Sequence, residues 1–122
     1  MLSRVGQGRY RKNLEQLEAG CRITGITDGR FLTASHIKPW SKSTDYEKLD
    51  GNNGLLLSPH IDRLFDRGYI SFEDTGSLML SPSLPMEVAS AWGLLSGSLP
   101  RPLAQKQTVY MNYHRSIIFR TV

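Results

Sequence analysis

The tightest constraint in this 122-residue sequence is the join between Gly54-Leu-Leu-Leu57 and Ser58-Pro59. A bounded apolar run of four suits a buried strand and is too short for a buried helix. Ser58 is a favoured N-cap residue, and Pro59 suits the first helical position, where its missing N–H is not needed. The strand is therefore expected to pass into a helix with no loop between them. That helix carries His60, Asp62, Leu64, Phe65 and Asp66 and stops at Gly68. Upstream, Ala34-Ser-His-Ile-Lys-Pro-Trp40 reads as a strand that ends on His36.

The flanking pattern predicts the remaining elements. Residues 4 to about 19 form an amphipathic helix with Tyr10, Leu14 and Leu17 on one face, and Ala19-Gly20 ends it. Residues 21–26 and 30–37 are β-type runs around Thr27-Asp28-Gly29, and Asp-Gly is a strong hairpin signal. In the second run Leu32, Ala34 and His36 share a parity, which puts His36 on the apolar face. Residues 38–52 read as a long polar loop, a length more often functional than idle. A second hairpin is expected over 69–81, with its turn at Thr75-Gly76. A linker over 81–85, a short helix over 86–95, an irregular stretch over 96–102 and an amphipathic helix over 108–119 follow. In that last helix Tyr110, Tyr113, Ile117 and Phe119 are expected toward the core.

The length suits one domain, 1–122, with a core motif at about 21–68 and a hairpin-plus-helix extension over 69–122. No apolar run approaches the ~18 residues of a membrane span, so no membrane partner is expected. Met1-Leu-Ser-Arg4 lacks the apolar core of a secretory signal. Cys21 is the single cysteine, which excludes an internal disulfide and a multi-cysteine zinc knuckle, and points to a cytoplasmic location. The net charge of +4 is compatible with a polyanionic partner. Its distribution says more: Arg4, Arg9, Arg11 and Lys12 crowd the first twelve residues, Lys38 and Lys42 follow His36, and Arg63 and Arg67 sit on the central helix.

Cleaving a phosphodiester requires a base for the attacking water, a cation against charge building on the phosphate and leaving oxygen, and fixed geometry. Histidine, with an ordinary pKa of ~6.5, suits the first task. Asparagine offers a neutral oxygen ligand or a bond that orients the base. Asp62 and Asp66 are four apart and share a helix face, whereas His60 and Asp62 are two apart and point to nearly opposite sides of a regular helix. His60 and Asp62 can reach one ion together only if His60 lies in a frayed first turn.

Ala-x-His-Ile, Asn-Gly-Leu-Leu-Leu and Leu-Phe-Asp-x-Gly together resemble the HNH endonucleases, in the variant common among bacterial restriction and defence proteins. The resemblance implies an α+β fold with a ββα-metal (His-Me finger) core, an N-terminal helix, an extra β-hairpin and C-terminal helices. It places the base at His36 and the family's asparagine at Asn53, 17 residues later. The family's helical histidine falls at Asp62, and His60 stands where relatives often have aspartate, so the pair reads His-Ile-Asp instead of Asp-Ile-His. The residue before the base, a metal ligand in other members, is Ser35.

The implied function is divalent-metal-dependent hydrolysis of DNA in a restriction or defence setting. His36 and Asn53 are the catalytic residues, and one ion is held by some of Asn53, His60 and Asp62. That ion is Mg²⁺ or Mn²⁺ first, with Ni²⁺ or Zn²⁺ as alternatives, and no structural zinc is expected. Lys38, Arg63 and Arg67 are expected on DNA phosphates, while Gln7 and Arg11 either contact DNA or tie the first helix to the core. The alternative function is a catalytically weak or inactive HNH domain that binds DNA or serves assembly. A homodimer and a separate specificity domain both stay open.

Overall fold

A computed structural model describes residues 4–95 and 100–122. Its elements are helix α1 (Arg4–Glu15), strand β1 (Thr33–His36), helix α2 (Asp45–Leu49), strand β2 (Gly54–Leu57), helix α3 (Pro59–Asp66), strands β3 (Ile70–Phe72) and β4 (Leu78–Leu80), and helices α4 (Met86–Ala91) and α5 (Gln105–Tyr113). The arrangement is α+β with two small antiparallel sheets, β1–β2 and β3–β4. In the first sheet Thr33 pairs with Leu57 and His36 with Gly54. In the second, Ile70 pairs with Leu80.

All four residues of β2 are buried, and the chain enters α3 directly at Pro59, as the sequence requires. Alternation fails in β2 because both faces of the β1–β2 ribbon are covered. Helix α3 packs on β1, and α1 packs on β2. Ile61 and Phe65, one helical turn apart on α3, meet Leu14, Ile37, Leu55, Leu57, Ile70, Phe72 and Met111 in one core. Gly68 takes φ +80 and ends the helix. The Ser58 hydroxyl does not cap α3 and instead lies 2.8 Å from the Thr24 hydroxyl.

The expected hairpin over 21–37 does not form. Asp28 spends its carboxylate on the Arg30 amide, which turns Gly29–Phe31 into a 3₁₀ turn. Residues 21–26 close on themselves through Gly25 N–H to the Cys21 carbonyl and Cys21 N–H to the Ile26 carbonyl, both at 3.0 Å. Strand β1 is left free to pair with β2, whose buried side chains offer more than a local turn does. The parity expectation also shifts, since Ser35 and Ile37 are the buried neighbours and His36 is half-buried.

Four further boundaries differ. Helix α1 stops at Glu15, leaving Leu17 47% exposed. Gly20 serves by its missing side chain, because a Cβ there would lie 2.4 Å from the Ile26 carbonyl oxygen. The polar stretch over 38–52 contains a 3₁₀ turn (Trp40–Lys42) and α2, which is fixed by a capping box between Thr44 and Glu47. The last helix breaks into a π turn, His114–Ile118, closed by Phe119 N–H on the His114 carbonyl at 2.8 Å. This wider turn rotates the face, so Met111 and His114 are buried, Tyr113 and Phe119 are half-buried and Ile117 is 64% exposed. The expected helix over 86–95 ends at Ala91. Part of the expected irregular stretch, residues 96–99, lies outside the described residues.

His114 joins the second sheet to α3. Its ring stacks on Phe65 at 3.9 Å between centroids, and Nε2 donates to the Phe65 carbonyl at 2.8 Å. Nδ1 must then accept, and it takes the Ser71 hydroxyl at 2.9 Å. Burial, reinforced by Arg115, pushes the imidazole down to about 4 against the pull of the Phe65 carbonyl and Asp66. The sign follows from linkage. Above ~6.5 the ring is neutral in folded and unfolded chains alike, and below it the unfolded chain gains a proton that the folded chain refuses until about 4. Stability is therefore lost as pH falls through that window, by about 2 kcal/mol between pH 7 and pH 5. Urea unfolding at the two pH values should show this loss, and His114→Gln should show a smaller one.

Candidate active site

The β1–β2 pairing places His36 opposite Gly54 at the end of the ribbon. Gly54 matters because it has no side chain: a Cβ would lie 2.0 Å from the Tyr10 hydroxyl. Tyr10 of α1 uses that space to donate to the Ser35 and Asn53 carbonyls, at 3.1 and 2.9 Å. The Tyr10 ring then stacks on His36, with centroids 3.8 Å apart and planes 14° apart. Trp40 closes the other side edge-on at 5.5 Å, and the Lys48 ammonium lies 4.7 Å above the Trp40 ring.

His36 Nε2 lies 2.9 Å from the Lys48 carbonyl. A carbonyl can only accept, so Nε2 carries the proton and Nδ1 keeps its lone pair. Burial holds this imidazole below its ordinary pKa, partly opposed by the bond to Lys48. The result is a neutral imidazole in one tautomer and one orientation.

Asn53 creates the carbonyl cradle. It is fully buried, with its Oδ1 accepting from Lys38 N–H at 2.8 Å. Its Nδ2 donates to the Glu47 carbonyl at 3.1 Å and toward the Ser43 hydroxyl at 3.4 Å. These bonds fold residues 38–48 back over the strand end and bring the Lys48 carbonyl to His36.

Asp62 lies on the α3 side of β1, beside the Ser35 hydroxyl. Burial raises its pKa, the neighbouring Ser35 hydroxyl opposes the rise, and Asp66 one turn away adds to it. Among the described residues no cation pairs with Asp62 or Asp66. His60 does not join Asp62. Helix α3 is regular from Pro59, so two residues of rotation carry His60 to the opposite side, where its ring meets Trp92 edge-on at 5.5 Å. The three-residue set of Asn53, His60 and Asp62 is thus not assembled, and no group of three or more His, Cys, Asp or Glu among the described residues could hold a metal. Asp62 is left as one carboxylate with no ion-pair partner among the described residues, a donor of the kind that suits a hard cation keeping most of its water.

The expected phosphate contacts divide. Arg11 is committed to structure: its guanidinium bonds the Leu32 carbonyl at 3.0 Å, the Gly29 carbonyl at 2.6 Å and Glu15 at 3.3 Å. Lys38 pairs with Glu47 at 3.0 Å. Arg63, Arg67 and Gln7 are exposed. Sequence reasoning placed Tyr10 in the core but missed its stacking on His36, which no local signal marks. It also missed the Thr44/Glu47 capping box, which the T-x-x-E pattern could have revealed.

Known proteins can be set against this geometry. The HNH endonuclease family model matches residues 21–73, from Cys21 past α3 and through β3. Over that segment, which holds His36 and Asn53, the chain is similar to the HNH endonuclease family. Among solved structures, the modification-dependent TagI restriction endonuclease superposes with a TM-score of 0.54 at 19% identity. The match covers 93% of this chain and 37% of that one, so this chain spans little more than a third of that enzyme, and the likeness speaks for the fold. No curated protein matches the sequence.

The buried amide leads to a test of what Asn53 does. A residue that only ligated a metal would be dispensable to the metal-free fold. Asn53→Ala leaves the Lys38 N–H and Glu47 carbonyl without partners and is expected to cost about 2–4 kcal/mol. Urea denaturation in EDTA measures it, and a loss near zero would contradict the positioning role.

Proposed function

We propose that this chain is a divalent-metal-dependent DNA endonuclease in which His36 is the general base. The observation that carries the reading is the state of the imidazole, whose Nε2–H is fixed on the Lys48 carbonyl while Nδ1 retains its lone pair. A water hydrogen-bonded to Nδ1 loses its proton to His36 as it attacks phosphorus in line with the departing 3′-oxygen. Tyr10 and Trp40 hold the ring so that little reorganisation accompanies proton transfer. Asn53 and Glu47 keep the Lys48 carbonyl in place. A divalent ion on Asp62, when bound, neutralises charge on the phosphate and leaving oxygen. The oxygen-rich surroundings favour Mg²⁺ or Mn²⁺, and with His60 turned away the case for Ni²⁺ or Zn²⁺ weakens.

Arg63 and Arg67 are the side chains proposed to hold DNA phosphates, with Gln7 as an exposed contact from α1. Lys38 is proposed to act through Glu47, keeping α2 over the base, and can reach phosphate only by leaving that pair. A restriction or defence role, cytoplasmic location, and a second copy or a specificity domain for recognition complete the proposal. None of the helices among the described residues is long and apolar enough to cross a membrane.

A second reading draws on one observation, the single carboxylate where a fuller ligand set was expected. It makes the chain a weak or inactive HNH domain that binds DNA or supports assembly. His36→Ala separates the two. Supercoiled plasmid incubated with Mg²⁺ or Mn²⁺ should be nicked by the protein, and the variant should be slower by about 10²–10⁴-fold. Plasmid binding without cleavage by either protein would favour the second reading.

Two further outcomes are expected of an active enzyme. The lowered imidazole pKa puts the acid limb of the pH–rate profile below the ~6.5 of a free histidine, since only the neutral ring accepts a proton. Asp62→Asn should raise the Mg²⁺ concentration needed for half-maximal cleavage by about tenfold or more, read from a metal titration. An unchanged requirement would remove Asp62 as the ligand.

A further inference from the structure

The far side of α3, away from β1, carries a groove that neither His36 nor Asp62 lines. Helices α3 and α4 diverge around a groove of about 230 Å³, floored by Leu64, Leu84 and Val88 and walled by Tyr69 and Trp92. Arg63 and Arg67 line the same groove. They are four residues apart, so they stand on one helix face, and both are exposed. Neither guanidinium has a hydrogen bond, an ion pair or a ring to rest on among the described residues. Most other arginines are engaged: Arg11, Arg22, Arg30, Arg101 and Arg115 in ion pairs, and Arg120 over Tyr69 and on the Arg67 carbonyl. Two neighbouring free cations beside a partly exposed indole are the unsatisfied part of this surface.

The chemistry of the groove narrows its occupant. An apolar floor with aromatic walls takes a flat ring, and two free guanidiniums four residues apart at its margin take adjacent anionic oxygens. The volume is below the ~300 Å³ lower bound for drug-sized ligands, which limits the guest to about one ring system. A base pair inside a duplex does not fit this description, because its faces are already stacked. The floor residues have no polar side-chain atoms, so the groove would hold a base by its face and ignore its identity. A second, larger groove of about 480 Å³ beside α2 makes the contrast. It is lined by Leu17, Tyr46 and Asp50 among others and contains no lysine or arginine, so it offers nothing to a phosphate.

We propose that the α3–α4 groove is a subsite for one unpaired nucleotide of DNA, whose base lies against Trp92 and whose flanking phosphates are held by Arg63 and Arg67. This rests on the endonuclease reading and adds a substrate preference to it. DNA with an unpaired base, as at a bulge or in a single strand, occupies the groove at no cost in unpairing. Fully paired DNA must first surrender a base, and binds less tightly for that reason. His60 acquires a role here too. Its ring meets Trp92 edge-on and sets the orientation of the indole.

The test is fluorescence anisotropy in EDTA, where no cleavage intervenes, with labelled 20-mers offered as a perfect duplex and as a duplex with a one-nucleotide bulge. Wild type should bind the bulged DNA about tenfold more tightly, the worth of one stacked base. Trp92→Leu keeps an apolar side chain and removes the ring, so the ratio of the two affinities should fall to about one. Arg63→Ala should lower the salt dependence of bulge binding by about one phosphate contact. Thermal unfolding of each variant checks that it folds, and Trp92→Phe, which restores a ring, should recover much of the ratio if Leu merely disturbs packing. Equal affinity of wild type for both DNAs would overturn the subsite and leave the endonuclease reading intact, handing the groove to an apolar segment of another protein. No DNA binding at all would overturn both.

Discussion

The structure hangs on the side-chain amide of Asn53. It is buried without exposure, and each of its polar atoms is used on the segment that follows β1. A buried amide left unpaired is costly, so the loop and the strand end hold each other in one arrangement. Because β1 pairs with β2, the residue beside Asn53 is Gly54, and its bare Cα admits the Tyr10 hydroxyl. One amide and one missing side chain thereby connect α1, β1, α2 and β2, and His36 sits where the four meet.

Catalysis of the proposed kind depends on orientation more than on an unusual group. An imidazole free to turn would present either nitrogen; here the Lys48 carbonyl permits only one. The Tyr10 stack removes water from one face of the ring, which also lowers its pKa and keeps it neutral. On the other side of the same strand, Asp62 lies beside Ser35 with no ion-pair partner among the described residues. Adjacent residues of a strand point to opposite faces, so the His36 ring and the Ser35 hydroxyl beside Asp62 lie on opposite sides of β1.

Much of this was legible in the chain. Leu55, Leu56 and Leu57 had to be buried, Pro59 had to start a helix, and Gly68 had to end it. The spacing of His36, Asn53 and the α3 residues marked the HNH segment that the family match covers. Other signals were ambiguous for physical reasons. Asp28-Gly29 satisfies a hairpin turn and a 3₁₀ cap equally well, and the choice fell to a non-local strand partner that no local pattern describes. In the last helix the π turn at His114 displaced the expected face, because Phe65 and Ser71 recruit that imidazole from elsewhere in the chain.

By itself the sequence determined the strand–strand–helix order of the central segment and its buried leucines, and it singled out His36 and Asn53 as candidates. These follow from periodicity, Pro and Gly geometry and motif spacing, all of which act over a few residues. Only the tertiary structure decided that His60 faces Trp92 while Asp62 faces Ser35, that Arg11 is spent on backbone carbonyls, and that Nδ1 is the open nitrogen of His36. Helical phase fixes that His60 and Asp62 diverge, but which of them meets the strand depends on how α3 is rotated against β1. That rotation is set by Ile61 and Phe65 entering a core whose other members lie as far away as Leu14 and Met111.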